Sequence, residues 1–310
     1  METSNIPVPN RPQYQQPPVP IIPEKRIGRF RASYLLTTES FELLRKDKEV
    51  MLFPLLSALF CSVLCIAMIV GLIVSGNVEA LAAEEPVQSD AAAYAWGFGV
   101  YLVIFFIATY FQAGLTAVVH TRILGGNASF SDGIRAANSI LGKIIVWSLV
   151  ASTVGLILQI IFDRSKLLGK IVIWLLGAAW GVLTFFMVPV LLIDKASVGA
   201  SLKKSAFIFK QTWGETLIMN FSMGLYFFFV HLFLIVLYVS ALAGLNTMEL
   251  LTAGPTIALT AIFVFAFLFT VLLQNALNAI FKVVLFEYAS TGRVPEGFEP
   301  QLILGAIKRK

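Results

Sequence analysis

The chain has 310 residues, of which 58% are hydrophobic and only 13% are charged, and its mean hydropathy is +0.83. Water-soluble domains are about 45–50% apolar and about 25% charged, so this composition excludes an ordinary soluble protein. The net charge of +5 comes from basic residues beside long apolar runs. This is the charge pattern of a membrane protein, and it does not support nucleic-acid binding.

The first part of the chain, residues 1–27, is rich in proline. Seven of the 13 prolines lie before residue 25, with asparagine and glutamine between them. Such a composition cannot build a core, so we predict a disordered tail. Two Pro-x-x-Pro spacings, which begin at Pro9 and Pro17, leave open the alternative of docking as a polyproline II helix on a protein partner. We expect no signal peptide, because the first apolar run begins only near residue 51.

Six long apolar stretches follow, and together they predict a six-span membrane domain over residues 28–290. The stretches are 51–74, 94–118, 144–162, 168–193, 217–243 and 257–285. Each is near or above the roughly 20 residues that a helix needs to cross a bilayer. The last is longer than one crossing needs, so we expect it to tilt or to extend past the headgroups. Residues 291–310 form a basic C-terminal segment.

The positions of lysine and arginine predict the orientation of the spans. Basic residues concentrate in the N-terminal flank, the second and fourth connections and the C-terminal flank, whereas the first and fifth connections have none. The positive-inside rule then places both termini in the cytoplasm. We predict that the protein lies in the cytoplasmic (inner) membrane.

The third connection, residues 163–170, disagrees with this pattern because it carries Arg164, Lys166 and Lys170. These side chains either extend to the outer headgroups or belong to a re-entrant hairpin. We favour the external loop, since both neighbouring stretches are long enough to span.

A polar, amphipathic stretch precedes each odd-numbered span on the cytoplasmic side. The three stretches are 33–48, 130–141 and 198–213. A helix with an apolar stripe and basic flanks lies in the headgroup plane, so we predict three interfacial helices. The predicted fold class is therefore an all-α polytopic membrane helix bundle with six transmembrane and three cytoplasmic-side interfacial helices.

Several segments carry a resemblance to a known type of family. They are residues 40–49 (SFELLRKDKE), 52–57 (LFPLLS), 186–194 (FMVPVLLID), 201–205 (SLKKS) and 212–215 (TWGE). Together they resemble an uncharacterised family of prokaryotic multi-pass membrane proteins, a domain of unknown function. In architecture this family is similar to the membrane domain attached to some glycerophosphodiesterases. The resemblance implies a prokaryotic cytoplasmic membrane and six spans, and it implies no activity.

Polar residues inside the last two spans form a candidate intramembrane path. They are His231 on the fifth span and Gln274, Asn275, Asn278 and Lys282 on the sixth. An ionisable residue within a membrane span is by default a functional hypothesis. The alternative is structural: His231 and the amides would make interhelical hydrogen bonds, and Lys282 would extend to the headgroups.

Motifs for catalysis, cofactors and metals do not occur in the sequence. We find no phosphate-binding loop, no His-Glu-x-x-His and no Gly-x-Ser-x-Gly, and we predict a protein that is not an enzyme and has no cofactor. The favoured function is lipid-interacting or transport-like, with membrane lipids as partners. The alternative is a structural or assembly role with a protein partner or a second copy of the chain.

Overall fold

The structure is a computed structural model. It describes residues 41, 44–45, 48–74, 91–247 and 252–292, apart from the side chains of 48, 72, 74, 91–94 and 213–222. The predicted disordered tail lies outside the described residues. So does almost all of the first predicted interfacial helix and of the basic C-terminal segment.

Helices make up nearly all of the part of the chain that the structure describes. A short 3-10 turn at Lys48–Met51 leads into α1 (Leu52–Val74), α2 (Ala91–Ile123), α3 (Phe130–Ser139), α4 (Leu141–Arg164), α5 (Leu167–Leu183), α6 (Met187–Ile193), α7 (Val198–Thr247) and α8 (Ala253–Thr291). We call the end of the bundle that carries α3 the α3 end. There α2, α6 and α8 finish, and α4 and α7 begin.

Six segments among the described residues are long and apolar enough to cross a membrane. They are Glu49–Gly71, Ala95–Ile123, Leu141–Arg164, Leu167–Ile193, Met223–Thr247 and Ala253–Thr291. The prediction of an all-α bundle with six spans is confirmed. The last helix has 39 residues, or about 58 Å at 1.5 Å per residue, so it is far longer than the ~30 Å hydrocarbon core of a bilayer.

The fourth span is broken into α5 and α6, which the apolar pattern did not predict. Pro189, the third residue of α6, has no N–H to donate, and its ring would clash with the carbonyl of Phe185 in a continuous helix. The helix therefore stops at Thr184 and restarts at Met187. The buried N–H of Phe186, freed by this break, donates to the hydroxyl of Ser205 on α7 at 3.0 Å.

The third predicted interfacial helix is not separate. Residues 198–213 are the first turns of α7, which runs without interruption into the fifth span. No proline falls within α7 to break it, and each of its four glycines costs only about 1 kcal/mol. The polar side chains Ser201, Ser205 and Thr212 are buried against the protein, so tertiary packing covers this segment.

The second predicted amphipathic stretch does form its own helix, α3, although α4 already begins at Leu141. Ser129 and Asp132 build a reciprocal cap: the Ser129 hydroxyl accepts from the Asp132 N–H, and the Asp132 carboxylate accepts from the Ser129 N–H. The backbone and side-chain hydrogen bonds from Ser129 lower the pKa of Asp132. The Phe130 N–H donates to the Glu49 carboxylate at 2.7 Å, which ties α3 to the start of α1.

Helix α3 crosses α2 at a point where both helices have glycine. A Cβ on Gly133 would lie 2.8 Å from the carbonyl oxygen of Gly114 and 2.5 Å from Cζ of Phe53. A Cβ on Gly114 would lie 2.5 Å from Cε1 of the same ring. The fully buried Phe53 therefore packs on two glycines from two helices and joins α1, α2 and α3.

Helix α2 is the centre of the bundle, in contact with α1, α3, α4, α6 and α8. One buried cluster joins it to α8 and the start of α1, and a second joins it to α3, α4 and α6. Both clusters lie toward the α3 end. In α8 the buried residues run from Ala276 to Tyr288, whereas Ile257, Ile262 and Phe265 in its first half are exposed.

We predict that Gly133→Ala destabilises the protein by about 1–3 kcal/mol, because the new methyl group meets backbone and a packed ring. Gly142→Ala is the matched control, since a Cβ there meets nothing within 4 Å. Thermal unfolding in detergent measures both. An unchanged melting temperature for Gly133→Ala would show that α2 and α3 do not cross this closely.

We also predict that Ser205→Ala lowers stability by about 1–3 kcal/mol, because it leaves the buried Phe186 N–H without an acceptor. Ser201→Ala serves as its control: Ser201 is equally buried on the same helix, but its hydroxyl makes no hydrogen bond. The same unfolding assay compares the two variants. Equal losses of stability would contradict the role assigned to Ser205.

Candidate functional site

A lateral groove of about 890 Å³ lies between α1 and α8, with α2 at its back. Apolar side chains form most of its walls. Leu55 and Leu59 contribute from α1, and Phe265, Leu268 and Phe269 contribute from α8. These five side chains are exposed, so the groove is open sideways at the level of the membrane spans.

Polar side chains gather at the end of the groove nearest the α3 end. Asn275, Asn278 and Lys282 line it from α8 and Gln112 lines it from α2. Because residues three, four and seven apart share one face of a helix, the spacing of the three α8 residues directs them to the same side. The groove therefore has long apolar walls and one polar end.

Of the described residues that line the groove, Lys282 is the one that carries a formal charge. Its Nζ lies 4.8 Å from the centre of the Phe185 ring, beside the α5–α6 break. Among the described residues it has no carboxylate or hydrogen-bond partner. Nearby lysine Lys204, in contrast, pairs with Asp194 at 2.7 Å. A cation–π contact contributes about 0.5–2 kcal/mol and does not replace a counter-ion.

Two of the five residues of the predicted polar path lie elsewhere. His231 on α7 has its Nε2 3.0 Å from the Thr270 hydroxyl on α8. Its ring is 6.2 Å from that of Phe227 and 4.7 Å from that of Phe267. Neither His231 nor the half-buried Gln274 lines the groove. The structure thus brings Asn275, Asn278 and Lys282 together and gives His231 an interhelical hydrogen bond.

A partly buried ionisable pair near the site was not predicted from the sequence. His120 Nε2 on α2 lies 3.1 Å from Glu287 Oε2 on α8, and Glu287 is only 5% exposed. Glu287 is the one acidic residue in α8, and this was the signal available in the sequence. Because the pair lies little more than one helical turn beyond Lys282, it fixes α8 against α2 at the polar end of the groove.

Groups for metal or thiol chemistry are sparse in the described part of the chain. No three histidine, cysteine, aspartate or glutamate side chains there lie close enough to hold a metal ion. Cys61 and Cys65 are free thiols on α1, and Cys61 lines the groove. The site offers hydrogen-bond donors, one cation and apolar surface, which suit binding.

The helices and the groove define a polytopic, all-α membrane protein with a lateral opening. Residues 91–297 match a family of unknown function, DUF6159, and the chain belongs to that family. The match covers α2 to α8, so all of the groove except its α1 wall lies within the family domain. A comparison with curated proteins found no match.

The resemblance to an uncharacterised multi-pass membrane family is thereby confirmed. The similarity to the membrane domain of some glycerophosphodiesterases stays a prediction.

Proposed function

We propose that this protein binds a membrane lipid in the groove between α1 and α8, as a lipid-interacting and transport-like protein. The observation that carries the proposal is the combination of lateral opening, apolar walls and one polar end. Drug-sized ligands occupy concave sites of about 300–1,000 Å³ that are mostly apolar with a few placed polar groups, and this groove falls in that range.

The dimensions of the groove suit a lipid chain. Its α8 wall runs from Phe265 to Lys282, about 26 Å of helix at 1.5 Å per residue. Half of a bilayer core is about 15 Å thick, so a chain from one leaflet fits along this wall. The exposed leucines and phenylalanines would contact the chain, and the polar end would face the headgroup. This role requires binding and no chemical step, so we propose that the protein is not an enzyme.

An assembly role is the second candidate, and a different surface favours it. The outer parts of α7 and α8 are almost fully exposed, because very little of the most apolar stretch of the fifth span is buried and none of that of the sixth. Large aromatic side chains such as Phe228, Phe229 and Phe233 cover this surface. A helix of a partner protein or of a second copy of the chain would pack there.

We further propose that the α3 end faces the cytoplasm of a prokaryotic cell, with both termini on that side of its inner membrane. Most described basic residues outside the hydrocarbon level lie at this end. They include Arg122, Arg135, Lys143, Lys195, Lys203, Lys204 and Lys210, against Arg164, Lys166 and Lys170 at the opposite end. This distribution supports the proposal through the positive-inside rule.

For the orientation, we predict that Lys166→Cys reacts with an impermeant maleimide added to intact cells. Asn127→Cys, in the exposed α2–α3 connection, should react only after the membrane is opened. Both variants are made in a chain with Cys61 and Cys65 replaced by alanine. The reverse pattern would invert the topology, and protection of both positions in intact cells would favour a re-entrant α4–α5 hairpin.

For lipid binding, we predict that Ala58→Trp removes most co-purifying lipid, because a large ring on the α1 wall fills the groove. Ala67→Trp is the control, since Ala67 is exposed on the same helix but does not line the groove. Native mass spectrometry of gently extracted protein counts the retained lipid. Equal retention by the two variants, or none by the unaltered protein, would contradict lipid binding in the groove.

A further inference from the structure

We propose that the lipid in this groove is a phospholipid with a net negative headgroup, whose phosphate is bound by Lys282 together with Asn278 and Asn275. This inference rests on the proposed lipid binding and names the class of lipid. It follows from charge, from geometry and from depth in the membrane.

Charge favours an anion at this position. Among the lining residues that the structure describes, Lys282 is the one that is charged, and none of them is acidic. The Lys282 ammonium has no carboxylate partner among the described residues, and a phosphate within hydrogen-bond distance would form a charge-assisted hydrogen bond with it. The groove therefore complements a ligand that carries negative charge beside an apolar chain.

Geometry supplies further donors next to the ammonium. Asn278 lies one helical turn before Lys282, and Asn275 lies one turn before Asn278, all on the groove side of α8. The Phe185 ring contacts the ammonium from α5–α6 and holds it at the polar end. Each asparagine amide can donate two hydrogen bonds and the ammonium three, which suits the oxygens of a phosphodiester and its glycerol.

Depth places these residues at the level of headgroups. The rise along α8 from Ala253 to Lys282 is about 44 Å at 1.5 Å per residue. A bilayer with its headgroups is about 40–45 Å thick. With Ala253 at one surface, Lys282 therefore lies among the headgroups on the α3 side, and the apolar walls between them lie in the hydrocarbon.

The experiment is a competition in which full-length protein is equilibrated with equal amounts of dioleoyl phosphatidylglycerol and dioleoyl phosphatidylcholine. Native mass spectrometry measures the ratio of the two bound lipids. The unaltered protein is expected to prefer phosphatidylglycerol, because the Lys282 ammonium repels the choline cation that only phosphatidylcholine carries. Lys282→Met removes this repulsion and is expected to reduce the preference about tenfold. Lys282→Arg should keep it, and so should Lys203→Met, which removes an exposed lysine outside the groove.

Equal binding of both lipids by the unaltered protein would overturn the headgroup assignment, as would an unchanged preference in Lys282→Met. In that case a lipid that Ala58→Trp still displaces would leave the proposed function intact. Absence of any bound lipid from the unaltered protein would overturn both. Folding of Lys282→Met is checked by its melting temperature.

Discussion

The close crossing of α3 over α2 is the contact on which the arrangement of the site depends. Only glycine at positions 114 and 133 allows the two backbones to approach and leaves room for the ring of Phe53. Phe53 lies at the start of α1 and also forms part of the groove floor. Because these two glycines have no Cβ, they determine where α1 enters the membrane. They thereby determine the position of one wall of the groove.

Helix α8 forms the other wall because its two halves lie in different surroundings. Its second half is buried among α2, α6 and the start of α1, and the contact between His120 and Glu287 fixes it to α2. Its first half, around Phe265, packs mainly on α7 and exposes its other faces. The groove opens where α8 leaves the packed α3 end, and its polar residues lie at this transition.

Much of this fold could be predicted from the sequence because a bilayer imposes a simple requirement on helix length and apolarity. The six spans and α3 follow from that requirement and from helical periodicity. The sequence shows Pro189, but the residues around it are as apolar as those of a continuous span. The apolar pattern therefore did not predict the break between α5 and α6. The continuity of α7 was not predicted because its polar first turns resemble an interfacial helix. In the structure, tertiary packing buries several of their polar side chains.

The site was only partly predictable for a similar reason. Periodicity along one helix brings Asn275, Asn278 and Lys282 to one face, and no tertiary information is needed for that. The opposing wall and the pairing of His120 with Glu287 join residues more than 150 positions apart, and a single sequence does not show which helices are neighbours. His231 was a candidate site residue because it is ionisable and lies within a span. In the structure it forms an interhelical hydrogen bond with Thr270.

The measurement that tests this account most directly is a cryo-electron microscopy map of the protein in nanodiscs made with its native lipids. The account predicts elongated density between Leu59 and Phe265, ending in a stronger feature within hydrogen-bond distance of the Lys282 ammonium. A map in which α1 packs directly against the first half of α8, with no space between them, would contradict it.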